Sequence, residues 1–291
     1  MADWLTERFE ENRSHLRGVA YRMLGSLDDA DDALQEAWLR LSRRENDRIE
    51  NAGGWLTTVV ARICVDMLRA RRSKREESLE LRIPDFILSR EESPEDELLT
   101  ADSVGLALLV VLDSLTPSER VAFVLHDMFA LPFEEIAPLV DRSPAAARQL
   151  ASRARRRVQG ATPPNAGFAQ RRAVVDAFLA AAREGDFNTL VSVLAPDVLL
   201  LADREPAARG IRGAQAVASQ AVTFSTRIVQ RIEPVVVNGS PGVVSWLPNG
   251  QPLSVMGFVV AGGRIREMYV ISQSRRVRRL LGTELTSSSP G

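Results

Sequence analysis

The sequence predicts a multidomain protein, with two all-α helical domains followed by an α+β domain whose helices cover one face of a curved antiparallel meander. Three observations predict it. Apolar residues in the first 160 positions recur with helical spacing. A proline-marked segment, 161–167, then sets off the remainder. Beyond it, short β-rich runs are divided by the turn pairs Asn238-Gly239, Asn249-Gly250 and Gly262-Gly263. At 291 residues and 45% hydrophobic content, the chain is long enough for two or three such cores.

Residues 1–75 read as helical throughout. Ala30, Ala33, Leu34, Ala37, Trp38 and Leu41 form an i, i+3, i+4, i+7, i+8, i+11 stripe. Asp28, Asp29, Asp31 and Asp32 crowd the first turn of that helix, where the dipole favours anions. Dipole complementation accounts for Asp28 and Asp29. Asp31, Asp32, Gln35 and Glu36 extend an acidic, hydrogen-bonding outer face suited to a partner. The next helix is predicted to follow Asn51-Ala52-Gly53-Gly54 and to run to Arg72, with Trp55, Leu56, Val59, Ile63, Met67 and Leu68 inward. Thr58, Arg62 and Arg69 lie opposite, and the helix runs out into Arg69, Arg71, Arg72, Lys74 and Arg75, a basic end suited to a phosphate backbone. Residues 76–98 read as a linker, interrupted by Pro84 and Pro94. Its apolar Ile83, Phe86, Ile87 and Leu88 are expected to dock, because a solvated linker has no need of them.

Residues 99–160 read as short helices ending in an arginine-rich one. Thr116-Pro117-Ser118-Glu119 is a capping box with proline at the first helical position, and it predicts a helix that buries Val121, Val124, Leu125 and Met128. Ala130-Leu131-Pro132 ends it. Phe133, Ile136, Ala137 and Val140 supply the buried side of a very short helix, and Asp141-Arg142 forms the turn before Ser143, the N-cap of the last helix. There Ala147, Leu150, Ala151, Ala154 and Val158 share one side, leaving Arg148, Gln149, Ser152, Arg153, Arg155 and Arg156 on or beside the outer face. An arginine run alone reads equally well as a solvated face. The ordered caps, turn and periodicity favour a helix-turn-helix whose last helix reads DNA.

The domain from 168 to 281 opens with a helix bearing Val174, Val175, Phe178, Leu179 and Ala182, stopping at Gly185, and a short one that stops at Pro196. A strand over Val198–Leu201 and a helix carrying Ala214, Val217, Ala218 and Ala221 come next. Strands are then expected over Ile232–Val237, Gly242–Leu247, Leu253–Val260 and Arg264–Ile271, with a disordered tail over 282–291.

The formal net charge is only −1, but it divides unevenly. From Ala161 onward there are 14 arginines against 9 carboxylates, and before it 23 basic against 29 acidic residues. An acidic DNA-reading half disfavours tight DNA binding on its own, since duplex affinity rests largely on phosphate neutralisation. Cys64 is the only cysteine, which excludes an intramolecular disulfide or a cysteine-based zinc site and points to a buried structural thiol. No cofactor or metal site is read from the residues. The N-terminus lacks the blocks of a signal peptide and no apolar run reaches the length of a membrane span, so a cytoplasmic protein is expected.

Asp28–Arg75 and Leu115–Val158 together resemble, in order, spacing and residue type, the two conserved domains of extracytoplasmic-function sigma factors of bacterial RNA polymerase. The resemblance implies that Asp31 to Leu41 is the helix that holds the clamp coiled coil of the polymerase largest subunit. It implies that Trp55 to Arg62 and Asp66 to Arg72 open and read the minus-10 promoter segment, with a flipped base held by the loop from Arg43 to Gly54. The helix-turn-helix would read the minus-35 element in the major groove. Pro138 and Asp141 depart from the family pattern. Aspartate tolerates a left-handed turn, so the geometry is expected to survive, with the proline shortening its helix.

The C-terminal domain resembles the SnoaL-like, nuclear-transport-factor-like cone fold, carried by a subgroup of these sigma factors. Arg82-Ile83-Pro84-Asp85-Phe86-Ile87 is similar to the Trp-Leu-Pro-Glu-Pro-Leu linker motif of one branch, keeping a proline and the acid. Around Asp203-Arg204-Glu205-Pro206 and Ser272-Gln273-Ser274-Arg275-Arg276 the chain differs from that branch, which implies membership of a neighbouring one.

Faces and resemblance together single out Ser143, Arg148, Gln149, Ser152, Arg153, Arg155 and Arg156 for the minus-35 element. For the minus-10 element they single out Asn51, Trp55, Thr58, Arg62 and Arg69, and for core RNA polymerase Asp31, Asp32, Gln35 and Glu36. The expected function is a sigma factor directing promoter-specific initiation, regulated in cis by intramolecular contact with its C-terminal domain. Two alternatives stay open, a conventional helix-turn-helix regulator and a ligand-binding or enzymatic cone protein. Catalysis is disfavoured because His15 and His126 lie outside the cone, and Asp203, Glu205, Glu233 and Glu267 lack a visible apolar site and partner. A small ligand in the cone remains open, because Trp246, Met256, Phe258 and Met268 fit a dry core as well as a pocket lining.

Overall fold

The computed structural model describes residues 2–42, 52–75, 83–89, 105–161, 167–203, 209–227, 229 and 231–282. They divide into two compact units, Met1–Leu79 with Leu109–Ala161, and Glu80–Leu108 with Thr162–Gly291.

The first unit is helical. α1 (Ala2–Leu24) and α2 (Leu27–Ser42) are joined through Gly25, whose φ of 69° only glycine adopts freely, and α3 (Ala52–Arg75) packs on both. Leu16, Met23, Leu34, Leu41, Leu56 and Cys64 are buried. Burial pushes the Cys64 thiol up to about 12, against a smaller opposing pull from Arg71, so this cysteine is an unreactive structural residue. Asp29 does more than complement the dipole, since it forms an ion pair with Arg71 of α3.

α4 (Leu106–Ser114) leads to α5 (Pro117–Phe123), which begins on the expected capping box, with Thr116 and Glu119 bonding reciprocally. The helix continues as a π-turn over Val124–Met128. Val121, Val124 and Leu125 are buried as the periodicity predicts. Met128 is only partly so, because the wider turn rotates it off the inner face. α6 (Phe133–Ile136) passes at once into a 3₁₀ turn over Ala137–Leu139, the shortening that Pro138 imposes. Asp141 takes the left-handed conformation at φ 53°, and α7 (Pro144–Ala161) follows. Arg120, 4% exposed, ties α5 to α1 by donating to the Met23 carbonyl at 3.0 Å and to α4 by donating to Asp113 at 3.0 Å.

The second unit is α+β, built on a seven-stranded sheet ordered β1-β4-β5-β6-β7-β2-β3. β4 (Arg231–Val237), β5 (Ser240–Trp246), β6 (Pro252–Ala261) and β7 (Arg264–Ile271) are the expected meander. Three features differ from expectation. β2 (Leu194–Ala202) starts four residues early, runs through Pro196 and pairs with β7 in parallel. β3 (Arg209–Arg212) extends that side. β1 (Leu88–Ser89) comes from the segment expected to be a linker and pairs antiparallel with β4. α8 (Phe168–Glu184), α9 (Phe187–Val193) and α10 (Ala214–Arg227) pack with the sheet around Phe178, Val217, Val243, Phe258 and Met268. A further helix, α11 (Ser274–Leu280), packs on β6.

The linker residues reach the other side of the sheet. Val243, Met256, Phe258 and Met268 belong to the core beneath the helices, so by strand alternation Gly242 and Gly257 point the opposite way. These two glycines sit directly across from one another. A Cβ on Gly257 would stand 2.8 Å from Leu106 and 3.5 Å from Phe86, and one on Gly242 would collide with Val237. The absent side chains leave the dent in which Phe86, 1% exposed, is seated. Phe86→Ala is therefore expected to destabilise the second unit by about 3–5 kcal/mol, as a core aromatic does. Urea unfolding compared with Phe258→Ala checks this, and a silent Phe86→Ala would show that the segment is not part of the core.

Candidate nucleic-acid and polymerase interface

Helix α7 starts where its residues require. Ser143 Oγ accepts the Ala146 amide at 3.3 Å and Pro144 occupies the first turn. With Ala147, Leu150, Ala151 and Ala154 buried, the direction opposite them is shared by Ala145, Gln149, Ser152 and Arg156, with Arg148 on one flank and Arg153 on the other. Arg148 is exposed and lies over the Phe133 ring at 5.2 Å, which holds its guanidinium in place. Gln149 is exposed and Ser152 half-buried. Arg156 is exposed and has no partner among the described residues.

Arg153 and Arg155 stand apart from this face. Arg153 donates to Glu119 at 3.2 Å and Arg157 to the same carboxylate at 3.4 Å, while Arg155 donates to Asp127 at 2.7 Å. These arginines lie on the two flanks of α7 and fasten it to α5 and its π-turn. Glu119 is the hub. Burial pushes its pKa up, but hydrogen bonds from the Thr116 hydroxyl and amide and from Arg153, with the charge of Arg157, outweigh that and hold it below the usual carboxylate value.

On α3 the buried side is Leu56, Thr57, Val60, Ala61, Cys64 and Leu68. Trp55 and Val59, expected inward, are half-buried and share the outward face with Thr58, Arg62 and Arg69. The buried arc is centred near Cys64 rather than on the Trp55–Val59 edge, and this correction brings four of the five residues expected at the minus-10 element onto one surface. The fifth, Asn51, lies outside the described residues, as does most of the Arg43–Gly54 loop. Thr58 Oγ is committed to the Gly54 carbonyl at 3.0 Å. Arg69 is held by Asp141 at 2.7 Å, so the outward face of α3 touches the turn of the helix-turn-helix.

Asp31, Asp32, Gln35 and Glu36 are all exposed on α2. Arg17 grips Asp31 with two bonds, at 2.7 and 3.0 Å, and Glu36 pairs with Arg40 at 2.8 Å. Amid this acidic surface Leu39 is 41% exposed. Sequence reasoning passed over it, although it falls seven residues after Asp32 and four after Gln35, which puts it on the same helical face.

In the second unit the carboxylates weighed as catalytic bases have structural partners. Glu233 accepts Trp246 Nε1 at 3.0 Å, Glu267 accepts the Tyr269 hydroxyl at 2.7 Å, and Asp203 accepts the Ser272 amide at 2.6 Å. Glu205 lies outside the described residues. Among the described residues no cluster of ligating side chains is placed to hold a metal, and no helix is long and apolar enough to cross a membrane.

The family described as Sigma-70 region 2 matches residues 8–74, and Sigma-70, region 4 matches residues 105–158. The chain is 40% identical over 234 residues to the ECF RNA polymerase sigma factor SigJ of Mycobacterium tuberculosis, covering 78% of this chain and 73% of that protein. It is 32% identical over 277 residues to the probable ECF RNA polymerase sigma factor SigI of the same organism, covering 93% and 94%. The crystal structure of M. tuberculosis SigJ superposes with a TM-score of 0.70 at 32% identity, covering 97% of this chain and all of that one.

Two outcomes follow from the split on α7. Arg148→Ala and Arg156→Ala are expected to weaken binding to a promoter duplex and to lower the salt slope by about one for each phosphate no longer neutralised, with melting unchanged. Arg153→Ala is expected to lower melting instead. Fluorescence anisotropy across a salt series, beside thermal unfolding, separates the two. The second outcome concerns pH. A folded-state pKa held below its unfolded value means that the Glu119 contribution is present above about pH 4.5 and is lost as pH falls through the folded pKa. Glu119→Gln is expected to flatten that acid limb of the stability curve, and an unchanged limb would place the loss elsewhere.

Proposed function

Because the chain belongs to the extracytoplasmic-function sigma factors of bacterial RNA polymerase, we propose that its SnoaL-like domain regulates promoter recognition in cis, by shortening the tether between the two promoter-reading regions. As a sigma factor the protein binds core polymerase and promoter DNA and directs initiation at specific promoters. In this reading the acidic face of α2, with Leu39 at its centre, receives core polymerase. The outward face of α3 takes the minus-10 element, and Arg148, Gln149, Ser152 and Arg156 take the minus-35 element. All of this is work for the cytoplasm.

One observation carries the regulatory reading: Asn238 holds the connecting chain at two points, at Asp85–Ile87 and again at Leu106. Its amide donates to the Ile87 carbonyl at 2.9 Å, its Oδ1 accepts the Ile87 amide at 2.6 Å, and its Nδ2 donates to the Asp85 carbonyl at 3.1 Å. Its carbonyl accepts the amide of Leu106 at 3.0 Å. Chain between Ile87 and Leu106 therefore starts and ends at one residue and adds nothing to the reach. A free linker from Arg75 to Leu106 extends to about 105 Å, whereas Arg75 to Ile87 alone reaches about 40 Å. Elements named minus-10 and minus-35 lie about 25 base pairs apart, roughly 85 Å along B-DNA.

The closed arrangement of the first unit favours the same reading. Arg69 is on the surface assigned to the minus-10 element, and Asp141 is in the turn that presents α7. Their 2.7 Å contact has no place in a protein that spans both elements. The SnoaL-like domain is assigned binding and control rather than turnover, in line with the structural partners of Asp203, Glu233 and Glu267.

Loss of the Asn238 side-chain bonds costs about 1–3 kcal/mol, a roughly 5–150-fold shift toward linker release. Asn238→Ala is thus expected to raise transcription by reconstituted holoenzyme, and unchanged output from it and from a chain lacking 168–291 would sink the tether. Capture of core polymerase is expected to fail for Asp32→Arg and to survive Asn238→Ala.

A further inference from the structure

The concave side of the second unit encloses a cavity of about 480 Å³. That lies within the range of about 300–1,000 Å³ that holds drug-sized molecules. Its wall comes from α8, α10 and the inner side of the sheet, and it is apolar, with Phe178, Phe224, Met256 and Met268 the largest contributors. None of the twenty described residues around it is charged. An ionised group set against this wall would lose water with no counter-charge among the described residues, which is unfavourable. The site therefore selects for neutral molecules.

The wall is not uniformly apolar. Ser245 and Ser254, cross-strand partners on β5 and β6, are 6% and 3% exposed, and their hydroxyls are 2.6 Å apart. Each hydroxyl has one proton and two lone pairs, and a bond between them leaves acceptor capacity in either arrangement. In the middle of two β-strands, where valine would add packing, such a pair has value when something enters to use it. Gln220 and Ser225 also face the cavity and have no side-chain hydrogen-bond partner among the described residues. These groups suit a ligand hydroxyl or carbonyl.

The wall also adjoins the linker seat. Ser245 and Met256 face the cavity from the strands whose opposite side carries Gly242 and Gly257. A polar route runs the same way. Ser272, on the cavity rim, donates to Asp203 at 3.1 Å. Asp203 accepts Arg276 at 3.3 Å, and Arg276 donates to Asp85 of the linker at 3.2 Å. Material placed in the cavity bears on both.

We propose that this cavity is the binding site of a neutral, largely apolar small molecule carrying one hydroxyl or carbonyl group, which sits against Ser245 and Ser254. Its use as the trigger of linker release rests on the regulatory reading above; binding does not, and the two are measured separately.

Three probes of nearly one shape test the chemistry on the full-length protein: 1-naphthol, naphthalene and the 1-naphthoate anion, titrated by fluorescence. Saturable one-to-one binding of 1-naphthol is expected, with naphthalene weaker by about three- to tenfold for want of a hydrogen bond and naphthoate weaker still. Ser254→Ala brings 1-naphthol down to naphthalene. Ala221→Phe fills the cavity and abolishes binding of both; Ala202→Leu does so from the opposite wall should the first variant fail to fold. Absence of saturable binding by either neutral probe, naphthoate binding as well as 1-naphthol, or binding undiminished in the filled variants would overturn the site. In reconstituted transcription, saturating 1-naphthol is expected to change the output of the wild type but not of Ala221→Phe. Binding with no change in transcription removes the trigger and leaves the site standing.

Discussion

Asn238 is the residue on which the seating of the 83–89 segment depends, because its amide side chain and its own backbone N–H and C=O pair with four backbone groups from a distant part of the chain. It is 2% exposed and adopts a left-handed backbone at φ 49°, a conformation that asparagine tolerates better than other side-chain-bearing residues. That conformation is required by the tight Asn238-Gly239 turn between β4 and β5. A residue chosen for a hairpin thus also serves as the anchor for a segment about 150 positions away. Losing its side chain leaves the Ile87 amide and the Asp85 carbonyl without these partners.

The arginines show how a protein with nearly balanced charge reads a polyanion. Arg153, Arg155 and Arg157 are spent on Glu119 and Asp127, fixing the attitude of the helix, while Arg156 at its crest faces outward and Arg148 lies over Phe133 with no carboxylate partner among the described residues. In the proposed reading, positioning and recognition are divided among neighbours on one helix. Two acidic residues of the first unit, Glu119 and Asp127, thus hold its arginine-rich helix in place.

Much of this was legible in the residues. The capping box at Thr116, the turn at Asp141 and the N-cap at Ser143 are local signals whose chemistry acts within four residues, and each appears where expected. The meander followed from its turn pairs. What escaped were features set by distant partners. Leu88-Ser89 is too short to carry a strand pattern, and only β4 makes it one. The placement of Trp55 depended on how wide an arc of α3 its neighbours cover, and Met128 on a π-turn that no periodicity announces. Gly242 and Gly257 were visible as strand glycines, but only the fold reveals that they face each other across a ladder and admit an aromatic ring. The docking of Phe86 was expected from its being out of place in a linker; its destination was not. Asn51 and the loop around it lie outside the described residues, so the base pocket implied by the resemblance stays an expectation.

β1 is two residues long, and its position at the end of the sheet has a consequence for the released state. While Leu88 and Ser89 are in place, the Val236–Val237 end of the outer edge of β4 is covered. Release uncovers it, and an uncovered edge is a template for any extended chain, including the same strand of a second molecule. Pro234 removes one donor from β4, which restricts foreign pairing to the valines near the turn. Under the proposed tether, the transcriptionally competent form is the self-adhesive one. Crowding, chaperones and proteases would then bear on the active population rather than the resting one, and colloidal chemistry would help set the lifetime of a transcriptional pulse.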